Sequence, residues 1–159
     1  MRVQSFENVK NQIGYCGIWC GSCVVGNGAL RNLTKGYERI VKAYDLEGWA
    51  LRDFDFREFM KGIASIQAMP LCRGCGKGGG RTDCEMRECA SGKGISDCSE
   101  CDAPKVCRSI HVLKHMRTGA LGAGLSVKTK KGDRRKLIRK WTGEVKAKWP
   151  SRVLFSQDR

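Results

Sequence analysis

The stretch 72-CRGCGKGGGRTDCEMRECASGKGISDCSECDAPKVC-107 holds seven of the chain's ten cysteines in thirty-six residues. From Leu71 to Ala103 no helical or alternating hydrophobic period is legible, and Gly, Arg and Cys dominate. A segment of this length without its own structure is rare inside a compact domain unless it is functional or cross-linked. The fold therefore turns on what the thiols are for. The N-terminal MRVQSFENVKNQIG lacks the basic and apolar regions of a secretory signal, and nowhere do about eighteen apolar residues run together. These features place the chain in a reducing cytoplasm with no membrane span. There, dense cysteine reads as metal ligation, and disulfides would require a hyperthermophile's intracellular chemistry.

Four cysteine groups are visible: Cys16-x3-Cys20-x2-Cys23, Cys72-x2-Cys75, Cys84-x4-Cys89 and Cys98-x2-Cys101-x5-Cys107. A two-residue gap lets both sulfurs of a knuckle face one ion with backbone amides turned towards them, and two knuckles complete a tetrathiolate site. Zinc is the first expectation, because paired knuckles separated by loops are its commonest use. A [4Fe-4S] cluster is the alternative, since three thiolates of one loop plus a distant fourth can hold four irons. Cys16-x3-Cys20-x2-Cys23 also has the spacing of radical SAM enzymes, but the chain is too short for their barrel and shows helices after the motif. His111 lies four residues after Cys107 and could add a nitrogen ligand on one helix face, with His115 a turn further on.

Working outward, residues 1–14 read as a polar lead-in. Leu30, Leu33, Tyr37, Ile40, Val41 and Tyr44 form the apolar stripe of an amphipathic helix, with Arg31, Lys35, Arg39 and Lys42 opposite. Asp55 caps a second helix three residues before Glu58, and Met69-Pro70 ends it. Asp102-Ala-Pro predicts a helix running to about Met116, broken by the glycines of TGALGAG. A basic helix follows from about Asp133, with Leu137, Trp141, Val145 and Trp149 four apart and Pro150 as its stop. No strand and no internal repeat stand out. The expected fold is mainly α, a small single domain with irregular metal-bound cysteine knuckles and little or no sheet. By composition it divides into a cysteine-rich part over 1–127 and a basic helix and tail over 128–159.

The formal charge of +14 points to an anionic partner. Eight ionised thiolates around two divalent ions would bring it to about +10, so part of the excess balances the chain's own sites. From Lys128 to Arg152 eleven Lys or Arg face only Asp133 and Glu144. Lys130, Lys131, Arg134, Arg135, Arg139 and Lys140 could grip phosphates while Trp141 and Trp149 stack on unpaired bases. The same tryptophans lie on the apolar stripe, where core packing is the ordinary role. The glycine run Gly76–Gly80 lacks the Lys-Ser/Thr ending of a phosphate loop and follows no strand. No nucleophile elbow, no His-Glu-x-x-His helix and no paired acidic motif is legible, so a binding module is favoured over an enzyme.

Taken together, YCGIWCGSC (15–23), CRGCGKGGG (72–80) and CEMRECASGKGISDCSEC (84–101) resemble the cysteine-rich DUF3795 proteins of bacteria and archaea, over about residues 15–107. The resemblance implies a small cytoplasmic protein with metal-binding cysteines and no defined activity, and it supports as ligands the ten thiols already read from spacing. Two residues separate Pro104 from Cys107 where the family pattern joins proline to cysteine, and the basic C-terminal segment lies outside the likeness.

Overall fold

The computed structural model of the chain describes residues 5–149. Its first helix lies where the sequence reads as a polar lead-in. In α1 (Ser5–Val9) Phe6 and Val9 are fully buried, and Ile13 follows nearly so. Phe6 and Val9 share one face of α1, and Ile13 follows beyond the helix, past the polar run Lys10-Asn11-Gln12 that hides the period. Phe6 and Ile13 belong to the main core, which joins them to Trp19, Ala29, Trp141 and Val145. Trp19 is its centre: its ring meets Phe6 edge-on at 6.2 Å and stacks on Trp141 at 5.8 Å. The indole N–H, which burial would otherwise strand, donates to the Lys10 carbonyl at 2.6 Å.

Around this centre the described residues form six α-helices, short 3-10 turns and no strand. The only β pairing among them is two isolated bridges, Ile13 with Trp19 and Ile18 with Val127. α2 (Ala29–Ala43) and α3 (Phe56–Ala68) pair as a hairpin. The predicted cap of α3 is present, with the Asp55 carboxylate accepting from the Glu58 amide at 3.0 Å. α4 (Glu85–Gly92) was not legible in the sequence, being eight residues long; Met86 and Ala90, one turn apart, are its buried pair. Asp102-Ala-Pro starts only a 3-10 turn over Pro104–Val106, and α5 (Ile110–Gly122) begins later and runs through Gly119 and Gly122. Glycine inside a helix costs only about 1 kcal/mol, and burial of Leu113 and Ala120 outweighs it.

α6 (Arg134–Lys148) starts where the sequence places it, with Asp133 accepting from the Arg135 and Lys136 amides. Trp141 and Val145 are buried on the main core, with Leu137 and Trp149 partly buried beside them. Pro150 and Arg152 lie outside the described residues. The compositional boundary at 127/128 is crossed by close contacts: the Lys128 amide donates to the Gly17 carbonyl at 2.8 Å. Gly17 has φ +92°, and a Cβ there would stand 2.2 Å from the Lys128 carbonyl oxygen, so only glycine fits.

Candidate functional site

Most of the cysteines sit at the edges of tight turns, where backbone N–H groups are left over for sulfur; Cys89 lies inside α4. Cys20–Ser22, Cys75–Lys77, Cys98–Glu100 and Pro104–Val106 are 3-10 turns, and Cys23, Cys101 and Cys107 close three of them. Cys84 stands at the N-cap of α4. At three cysteines the amide two residues on is aimed at the thiol: Ile18 on Cys16, Gly74 on Cys72 at 3.4 Å, and Ala103 on Cys101. This is the arrangement in which a loop stabilises a thiolate.

Tertiary hydrogen bonds bring distant turns together. The Cys20 amide donates to the Gln12 carbonyl, and the Gln12 side chain donates to the Arg73 carbonyl at 2.7 Å, tying the first group to the Cys72–Cys75 knuckle. The Cys98 amide donates to the Tyr15 carbonyl at 2.8 Å, tying the last group to the first.

Two neighbourhoods of thiols result. In the first, Cys20 is pushed up to about 12, chiefly by burial, then by Cys75, Cys72 and Cys23 close by. In the second, Cys98 is pushed up to about 11, again chiefly by burial; Arg117 opposes the rise, and Cys107 and Cys89 add to it. Cys101 belongs there too, its thiol drawn down by the Ala103 amide and by Lys93, whose Nζ is 3.4 Å from the sulfur. Lys93 in turn feels Cys101, Cys89 and Cys107.

Between the two lie Cys16 and Cys84, 7% and 8% exposed, in an apolar cluster with Met86 and Leu113. Cys16 is raised by burial and then by Cys75 and Cys84. A Cβ on Gly14 would meet the Cys75 sulfur at 3.4 Å and the Cys16 sulfur at 3.7 Å, so the missing side chain lets both approach the same backbone atom.

All ten cysteines are free thiols. Among the described residues no three His, Cys, Asp or Glu side chains are placed so as to enclose a metal ion. The thiols are thus gathered but not closed into cages. As donors they suit a soft or borderline cation: each neighbourhood offers four sulfurs, and the second has Lys93 and Arg117 close by. His111 and His115 are exposed on α5.

The second neighbourhood is braced by a buried polar network that the sequence reading missed. Lys128, 2% exposed, bonds the Asp97 carboxylate at 3.0 Å, the Ser99 hydroxyl at 2.6 Å and Glu100 at 3.3 Å, and Arg134 adds a bond to Asp97 at 3.2 Å. Burial pushes the Asp97 carboxyl up, but the Ser99 hydroxyl, the Lys128 ammonium and the Ser99 amide outweigh it and hold it below the usual value. Residues 97–100 of the Cys98 turn are thereby fastened to the start of the basic segment.

That network alters the reading of the basic face. Of the six cations read as a phosphate grip, Arg134 is tied to Asp97 and Lys131 to Asp102. Lys130, Arg135, Arg139 and Lys140 are exposed, the last with Glu144 at 3.8 Å. Trp141, 8% exposed and stacked on Trp19, presents no face to a base. No helix among the described residues is long and apolar enough to cross a membrane.

No curated protein and no solved structure matches the chain. A family model described as a protein of unknown function matches residues 12–112, a span that holds all ten cysteines and stops before α6. The chain belongs to that family, DUF3795.

Proposed function

We propose that the protein binds two metal ions, zinc in the first instance, through Cys20, Cys23, Cys72 and Cys75 at one site and Cys89, Cys98, Cys101 and Cys107 at the other. The ions serve the fold and not catalysis, and the protein works as a binding module in a reducing compartment. What carries this reading is the gathering of thiols from turns far apart in sequence, with amides aimed at sulfur. Like-charged thiolates crowded in a half-buried place are unfavourable alone, and a divalent ion removes that cost. Cys16 and Cys84, in their apolar cluster, are left as buried thiols.

One observation favours iron-sulfur chemistry as the second reading. Cys16 and Cys75 approach the same α-carbon, so Cys16, Cys20 and Cys23 with Cys75 offer the three-plus-one thiolate set of a [4Fe-4S] cluster.

Cobalt(II) titration of the reduced, metal-free chain separates the two. Zinc-type sites give intense thiolate-to-cobalt absorption; Cys20→Ser and Cys98→Ser each remove about half of it, and Cys16→Ser and Cys84→Ser leave it intact. A cluster protein isolated without air is instead brown, and Cys16→Ser bleaches it. A chain that takes up neither metal contradicts both readings.

A further inference from the structure

The two thiol neighbourhoods differ in access. None of Cys20, Cys23, Cys72 and Cys75 is exposed, whereas Cys89 of the second group is. An open hollow of about 520 Å³ reaches that second group, lined by both Cys89 and Cys107. A hollow of this size takes a small molecule. Its lining carries both charges, Lys93 and Arg108 with Glu88 and Glu85, the last accepting from the Ser109 hydroxyl at 2.6 Å. Val106, which also lines it, is 79% exposed.

The thiols of the second group are also held unequally. Arg117 beside Cys98 favours its thiolate, and the Cys98 amide is fixed to the Tyr15 carbonyl at 2.8 Å. Cys101 has the Ala103 amide and the Lys93 ammonium on its sulfur. Cys89 lies inside α4, where amides are engaged by carbonyls one turn back, as the Lys93 amide is by the Cys89 carbonyl. No such amide is left to steady its sulfur. A metal ligand without outer partners is the one most readily displaced. We propose that the second metal ion is exchangeable through this hollow, with Cys89 the ligand that gives way to the thiol of a small cysteinyl peptide. This presupposes zinc at the two sites proposed above. In the exchange the bond from the metal to the Cys89 sulfur breaks and one to the entering sulfur forms. The entering thiol's proton passes to the released Cys89 thiolate, and no electron is transferred. The peptide's carboxylates and ammonium find opposite charges in Lys93, Arg108 and Glu88.

Zinc release from the full reduced chain to excess pyridylazoresorcinol, followed with and without reduced glutathione, tests this. Two phases of equal amplitude and about tenfold different rate are expected, and glutathione speeds only the faster. Cys98→Ser removes the faster phase and Cys20→Ser the slower, which assigns each to its site. A brief pulse of iodoacetamide during the exchange alkylates Cys89 ahead of Cys98 and Cys101. Val106→Trp fills the hollow from an exposed position, so it leaves both ions bound at the start and slows the glutathione-driven phase. Two ions that leave at one rate, a faster phase that survives Cys98→Ser, or one indifferent to glutathione overturns the proposal and leaves the zinc reading standing. So does alkylation of Cys98 or Cys101 first, or a faster phase unchanged by Val106→Trp. A chain that carries no zinc at the outset overturns the zinc reading, and the exchange with it.

Discussion

Lys128 and Asp97 pose the sharpest energetic question of any residues in the protein, because both charges are almost wholly removed from water. Breaking such a pair costs up to about 3–5 kcal/mol, here because Lys128 would keep only the partly exposed Glu100, whereas replacing both partners together often costs little. Asp97→Asn should therefore destabilise the chain by that amount, read as a shift in urea midpoint, and Asp97→Asn with Lys128→Met should recover most of it. The pH dependence has a definite sign. The Asp97 carboxyl lies below its usual value in the folded protein, so its contribution is present above the unfolded value of about 3.9 and is lost as pH falls through the lowered one. Wild-type stability should fall more steeply in acid than that of the double variant. A single variant as stable as the wild type would show that the network is not structural. Neither residue was legible as a partner of the other: they lie 31 positions apart, and a lysine in a basic tail reads as a solvated one.

At the scale of elements, α2 was legible from its period alone, and α3 and α6 from a period and a cap together. Asp55 and Asp133 announce α3 and α6 through side-chain oxygens that accept from the first-turn amides, and the stripe of Trp141 and Val145 faces the core as its four-residue spacing predicts. Trp141→Ala should cost about 3–5 kcal/mol, since it empties the stack on Trp19. Thermal unfolding checks this; an unchanged midpoint would mean that α6 is only laid on the surface. The α2 stripe shows the limit of the same reasoning. A period of 3.6 reports that a helix has an apolar face, but not what covers it, and here Tyr37, Ile40 and Tyr44 point away from the core. α1 and α4 were missed because five and eight residues are too few for a period to emerge. The four cysteine groups, by contrast, were plain from spacing. Their assortment into neighbourhoods was not, because it depends on bonds such as Gln12 to the Arg73 carbonyl.

For the molecule as a whole, carbon burial is divided. One cluster centres on Trp19, a smaller one holds Cys16, Cys84, Met86 and Leu113, and much of the remaining aromatic surface lies on the hairpin outside both. The turns from Cys72 to Cys107 contribute little apolar area of their own, so on the proposed account bound metal supplies the order that packing does not. On that proposal metal uptake would displace protons from thiols such as Cys20 and Cys98, whose raised values keep them protonated near neutrality. The proposal therefore predicts zinc binding that weakens as pH falls, read by cobalt or zinc titration at several pH values. The most direct test of the central claim is chelator titration of the reduced protein, purified without air, with helix content by circular dichroism and released metal followed together. The account predicts about two metal ions per chain and cooperative loss of helix as they leave. A reduced, metal-free chain that keeps its full helical signal would contradict it.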